Sequence, residues 1–210
     1  MIHREVLKRF VALEGIDGAG TTTQLKRIAA ECGKENIPCY PTCEPTGMES
    51  GRLIRKVLSG EIVVKPQTLA RMFVADRYEH LYGEDGVISH LSSGEIVVTD
   101  RYLFSSLAYQ SVECGYEAVY ELNKDFPLPE VLIYLEIPAE VGELRASARE
   151  NREIFENNDF QRRVLRMYER AIDAHDGLGM EIMVLDGTQS EDAVFEKVWS
   201  RIKRIPIETM

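Results

Sequence analysis

GIDGAGTTTQ, Gly15 to Gln24, lies between a short apolar run, FVALEG (Phe10 to Gly15), and a segment with Leu25, Ile28, Ala29 and Cys32 at helical spacing. The order reads as strand, glycine-rich loop, helix. Gly15, Gly20 and Thr22 fit the mononucleotide phosphate-binding pattern of Gly, four residues, Gly, Lys, then Ser or Thr, but Thr21 stands where that pattern has Lys. The backbone device is kept and a charge is lost. Amides from Gly18 to Thr22 at the head of the helix can cradle a phosphate, because unpaired N–H groups and the helix dipole both favour an anion there. The missing cation has to come from elsewhere in the chain.

Four further apolar runs follow: IPCYPT (Ile37 to Thr42), EIVVTD (Glu95 to Asp100), VLIYLEI (Val131 to Ile137) and EIMVLD (Glu181 to Asp186). Each is separated from the next by at least a helix-length segment, the pattern of a parallel sheet wrapped by helices. Ligands bind such doubly wound α/β sheets beyond the carboxyl ends of the strands. Those ends carry the glycine loop, then Cys43, Glu44 and Pro45, then Asp100, Arg101 and Tyr102, and finally the turn Gly187, Thr188, Gln189, Ser190.

A chain of 210 residues is expected to form one domain with a core that needs no disulfide or metal staple. Its net charge of −10 argues against a nucleic-acid polymer as partner and leaves phosphate binding to local basic clusters. Cys32, Cys39, Cys43 and Cys114 lack metal-ligand spacing and read as reduced packing residues of a cytosolic protein. No run approaches the ~20 apolar residues of a membrane span, and MIHREVLKRF has no signal-peptide core, so a soluble, non-exported, cytoplasmic protein is expected. One stretch, Arg145 to Arg163, is unusually rich in charge, and Arg145, Arg149 and Arg152 share a helix face. On its own such a face is simply solvated; beside a phosphate loop without its Lys it reads as the replacement cation source.

EGIDGAGTTTQ, EPTG (Glu44 to Gly47), RMFVADR (Arg71 to Arg77), TDRYLFSSLAYQ (Thr99 to Gln110), YLEIPAEVGELRASAR (Tyr134 to Arg149) and LDGTQS together resemble the thymidylate kinase family, in its bacterial form with a basic lid. The resemblance implies a P-loop NTPase-like, doubly wound parallel sheet of five strands flanked by helices. It implies a single kinase domain over residues 1–210 with a mobile lid at about 145–160. The implied reaction moves the γ-phosphoryl of ATP onto dTMP to give dTDP, with Mg²⁺ as cofactor and a homodimer as the assembly.

Residue by residue, the resemblance gives Gly15, Ile16, Asp17, Gly18, Ala19, Gly20, Thr21 and Thr22 to the ATP phosphates, and Arg145, Thr188 and Gln189 to the adenine end. Arg149 would reach the transferred phosphoryl, with Arg152 beside it. Asp100 and Thr22 would hold Mg²⁺, which takes few protein oxygens beside phosphate and water. Arg101 would bridge the two phosphates with its planar fork, positioned by Asp17, which also meets the deoxyribose 3′-hydroxyl. Phe73 would stack on thymine, Arg77 would donate to its 4-oxo group, Ser105, Ser106, Tyr109 and Gln110 would border the nucleotide, and Arg55 would hold its 5′-phosphate. The family loop has Lys where this chain has Thr21, and bacterial members usually have Thr-Arg-Glu-Pro where it has Thr42, Cys43, Glu44 and Pro45. Two other readings stand beside this one: a catalytically impaired nucleotide-binding relative, and a kinase for another nucleoside monophosphate.

Overall fold

In a computed structural model, residues 4–146 and 158–206 are described. The expected lid residues Arg149 and Arg152 lie outside the described residues. Five strands form one sheet, all parallel: β1 (Val6–Glu14), β2 (Cys39–Cys43), β3 (Ile96–Asp100), β4 (Leu128–Glu136) and β5 (Glu181–Asp186), in the order β2-β3-β1-β4-β5. All five coincide with the apolar runs of the sequence. Every residue of β3 and the last five of β1 are buried, as strands covered on both faces must be. β1 begins four residues before its apolar run, and its first half carries Lys8 and Arg9 next to a register irregularity between Leu7 and Val11. The polar residues there break the alternation that would have revealed it.

The helices are α1 (Thr21–Glu35), α2 (Glu49–Leu58), α3 (Pro66–Tyr82), α4 (Val87–Ser92), α5 (Leu103–Tyr109), α6 (Ser111–Cys114), α7 (Tyr116–Asn123), α8 (Ala139–Ala146), α9 (Asn158–His175) and α10 (Glu191–Ile202). α1 packs on α10, and α5 on α9. Phe10 of β1 and Tyr102 meet edge to face at 5.0 Å, a contact that joins the central strand to the segment leading into α5. None of these helices is long and apolar enough to cross a membrane.

Strand order fixes where chemistry can occur. The chain leaves β1 for β2 and β3 on one side, then crosses to β4 and β5 on the other, so the carboxyl end of β1 is the switch point of the sheet. The glycine loop starts there. In register, Leu13 lies beside Asp100, and Asp100 beside Cys43, so three loops open at one level.

Candidate active site

The glycine loop is held from both sides. Gly18 takes a left-handed backbone, φ 83°, and a Cβ on it would lie 2.5 Å from the Gly142 carbonyl of α8. Gly142 in turn has no room for a side chain, since a Cβ there would lie 2.6 Å from the Asp17 carbonyl. The two backbones interlock, so the loop and the base of the charged segment are one packed unit. No side chain caps α1, whose first residue is Thr21, and the first-turn amides face the end of the loop as an anion site. Arg145 Nη1 donates to Gly187 O at 2.9 Å and to Gly18 O at 3.4 Å, tying the loop to the turn after β5. In that turn Thr188 and Gln189 fold their side chains back onto Asp186.

Thr22 and Asp100 meet as their spacing in the sequence could not show: Thr22 Oγ1 donates to Asp100 Oδ2 at 2.5 Å. Asp100 Oδ1 is buried with no hydrogen-bond partner among the described residues. A carboxylate oxygen left unpaired beside a hydroxyl at a phosphate loop is a donor set that fits Mg²⁺.

Arg101 has a left-handed backbone, φ 71°, and its amide donates to Leu13 O at 2.8 Å. One edge of the guanidinium is anchored: Nη1 donates to Gly15 O at 2.8 Å and to Ser105 Oγ at 3.1 Å, and Nη2 to Asp17 Oδ1 at 2.6 Å. Nε has no partner among the described residues, and the second bond of Nη2, to the Tyr109 hydroxyl, is a long 3.5 Å. The open edge of the fork is thus available to a phosphate. Asp17 holds Arg101 as the resemblance implied, and Gln161 Nε2 holds the other Asp17 oxygen at 3.0 Å.

Beneath this arginine lies a carboxyl that the sequence reading passed over. Glu14, fully buried, accepts from the Tyr102 amide at 2.8 Å, the Ser105 hydroxyl at 2.5 Å and the Tyr168 hydroxyl at 2.9 Å. Ser105 lines the cleft, but its hydroxyl serves Glu14 and Arg101, which makes it a positioning residue. Burial pushes the Glu14 carboxyl up to about 7; its bond to Ser105 and the nearby Arg101 charge pull the other way. Burial also drives the Tyr168 hydroxyl well above its ordinary value, so it keeps its proton and remains a donor.

Glu14 therefore gives stability a pH dependence of definite sign. Its pKa is raised from 4.5, so the fold binds a proton that the unfolded chain has released; the penalty is absent below about pH 4.5 and complete above about pH 7. At roughly 1.4 kcal/mol per pKa unit, this amounts to about 3 kcal/mol lost across that window. Glu14→Gln keeps a carbonyl oxygen for the Tyr102 and Ser105 amides and should flatten the slope. Urea unfolding of the two proteins at pH 5 and pH 8 tests this, and equal pH slopes would exclude Glu14 as the source.

At the other end of the same cleft Arg77, only 1% exposed, is clamped by Glu44 through Nε at 3.0 Å and Nη2 at 2.7 Å, by Ser106 Oγ at 3.0 Å, and by Asn123 Oδ1. His80 Nδ1 meets the second Glu44 oxygen at 2.9 Å and its Nε2 meets Thr42 Oγ1 at 2.8 Å. Glu44 came to notice in the sequence as a strand-end residue; its pairing with Arg77 is a long-range contact that spacing cannot reveal. Arg55 docks on the loop beyond β2 through the Pro45 and Thr46 carbonyls, and its Nη2 lies 3.8 Å from Cys43 Sγ. The side-chain amide of Gln110 has no partner among the described residues, although the residue is buried. A single cavity of about 360 Å³ runs from the glycine loop, Thr22 and Asp100 past Arg101 and Arg55 to Phe73, Arg77 and Gln110. All nine residues expected to meet the acceptor nucleotide line it.

A phosphate loop at the switch point, a hydroxyl–carboxylate pair whose donors fit Mg²⁺ and an anchored arginine sharing one cleft with an aromatic and an amide are the parts of a P-loop nucleotide phosphotransferase. The family model for thymidylate kinase matches residues 13–198. A protein of Treponema pallidum is 38% identical over 201 residues, covering 94% of this chain and 96% of its own, and one of Aeropyrum pernix is 39% identical over 183 residues, 86% of each. Both bear the name thymidylate kinase provisionally; the Leptospira borgpetersenii thymidylate kinase, 33% identical over 192 residues and 90% of each chain, bears it without qualification. The chain belongs to the thymidylate kinase family, and so to the nucleoside monophosphate kinases.

Proposed function

We propose that this protein transfers the γ-phosphoryl of ATP to the 5′-phosphate of dTMP, giving dTDP and ADP. The observation that supports the reading is the continuity of the cavity, lined at once by the glycine loop, by Arg101 and by Phe73, Arg77 and Gln110. The glycine-loop amides hold the donor phosphates, and Arg145, fixed at the Gly187 turn, covers the adenine. The open edge of Arg101 spans the acceptor phosphate and the moving group, and Asp17 keeps that edge in place while meeting the sugar hydroxyl. Thr22 and Asp100 would hold Mg²⁺, which supplies charge neutralisation at the donor phosphates when bound. Arg149 and Arg152 on a basic lid would supply the cation that Thr21 does not, as in the bacterial branch of the family. The homodimer and the cytoplasmic location follow the same family reading.

Base selection rests on Arg77, a donor with no acceptor capacity, held rigid by Glu44 and Asn123. A 4-oxo pyrimidine satisfies it, and the exocyclic amine of cytosine meets donor with donor. Truncating Arg77 would strip the buried Glu44 carboxylate of its guanidinium partner and leave it only His80, at a cost of about 3–5 kcal/mol, so exchanging the substrate is a cleaner test than mutation. In a coupled ADP-release assay with ATP and Mg²⁺, dTMP should be turned over with a kcat/KM at least ~10²-fold above that of dCMP. Equal use of dCMP would overturn the acceptor assignment, and no turnover of any monophosphate would identify an impaired nucleotide-binding relative.

A further inference from the structure

α9 has two working faces. Gln161 and Tyr168 point to Asp17 and Glu14 of the cleft, whereas Arg163, Arg166 and Arg170, three and four residues apart, lie on the opposite side of the helix. These three arginines, Met167, Ser111 and Tyr116 line a second cavity of about 270 Å³, between α9 and the corner where α6 meets α7. It shares no residue with the nucleotide cleft.

Two buried hydroxyls in its wall are unsatisfied. Ser111 is 5% exposed and Tyr116 7%, and neither Ser111 Oγ nor the Tyr116 hydroxyl has a hydrogen-bond partner among the described residues. Buried hydroxyls are rarely left this way without something to bind. The cations around them are only partly used. Arg163 donates to Val112 O at 2.6 Å, Arg170 lies 4.0 Å over the Tyr116 ring and pairs with the exposed Glu117, and Arg166 has no side-chain partner among the described residues. On a chain of net charge −10, three arginines lining one cavity, with two unpaired hydroxyls buried in its wall, form a set of donors that calls for an acceptor-rich anion.

We propose that this groove is a second anion site that binds a small molecule through a phosphate or diphosphate group. Guanidinium forks and hydroxyls together match the several oxygens of a phosphate, and the volume exceeds what one phosphate fills. A ligand there would tie α6 to α9, and α9 carries Gln161 and Tyr168 into the nucleotide cleft.

Met167 supplies a local probe. In the full chain labelled at methionine methyls, with the nucleotide cleft filled by dTMP and ADP, inorganic pyrophosphate should shift the Met167 resonance saturably and leave Met183 on β5 unmoved. The Met167 signal is identified by its loss in Met167→Leu. Arg166→Ala, at an exposed position, should abolish the shift, and Ser111→Ala should weaken the affinity at least tenfold. Further ADP moving the same resonance would make a nucleotide the source of the phosphate; pyrophosphate acting alone would make it an inorganic or non-nucleotide diphosphate. No saturable shift, the same shift in Arg166→Ala, or its reproduction by sodium chloride at equal ionic strength would overturn the proposal.

Discussion

Replacing Arg101 with Ala is expected to lower kcat by about 10³- to 10⁵-fold while leaving ATP affinity within a few-fold of the original. The reason lies in how the guanidinium divides its donors. Gly15 O, Ser105 and Asp17 take one edge, so the other is presented to the cleft in a fixed orientation, with no reorganisation needed when charge moves. Arg101→Lys should recover little, since one ammonium cannot be anchored on Asp17 and the Gly15 carbonyl and still offer two parallel donors to phosphate. Because Glu14 and Asp17 lose a neighbouring cation in the Ala variant, its fold should be checked by unfolding before its kinetics are read. A folded Arg101→Ala protein with turnover within tenfold of the original would make the residue structural.

The second large effect concerns the loop position where the family carries Lys. Thr21 is the first residue of α1 and lines the cleft. If Arg149 provides the absent cation, Arg149→Ala should nearly abolish turnover and Thr21→Lys should restore part of it in that background. A charge-assisted hydrogen bond contributes roughly 1.5 to 3 kcal/mol, so each cation should matter by at least tenfold. Since both would serve the same phosphate oxygens, the two changes should be strongly non-additive. Steady-state kinetics of the four proteins, with ATP affinity measured separately, decides it. Additive effects would remove Arg149 from the role.

The sheet was legible because its strands are short apolar runs broken by helical patterns; all five runs became strands. The half of β1 before Phe10 was hidden by Lys8 and Arg9, whose charges sit at a register shift that no periodicity marks. The loop, Asp100 and Arg101 stood out as candidate chemistry, because glycines, a strand-end carboxylate and an adjoining arginine have few other uses together, whereas the other expected acceptor residues that line the cleft were reached through the family resemblance. Glu14 and Tyr168 were not. Glu14 sits inside the most telling stretch of the sequence but looks like a strand-end charge, and Tyr168 falls at core spacing on α9; only the fold brings them together across more than a hundred residues. Gly142 was equally silent, since its value lies in the Asp17 carbonyl pressed against it.

The left-handed backbone at Arg101 has a consequence for how this chain can change over generations. An L side chain in that region costs on the order of 1 kcal/mol or more, a cost that only glycine escapes. At this one α-carbon, conformation favours the residue with no side chain, while the phosphate-bridging role proposed for Arg101 calls for one of the largest. A lineage relieved of the need to turn over nucleotide would drift toward glycine at position 101, so the identity of this residue in any relative with the same loop reports whether catalysis is still under selection.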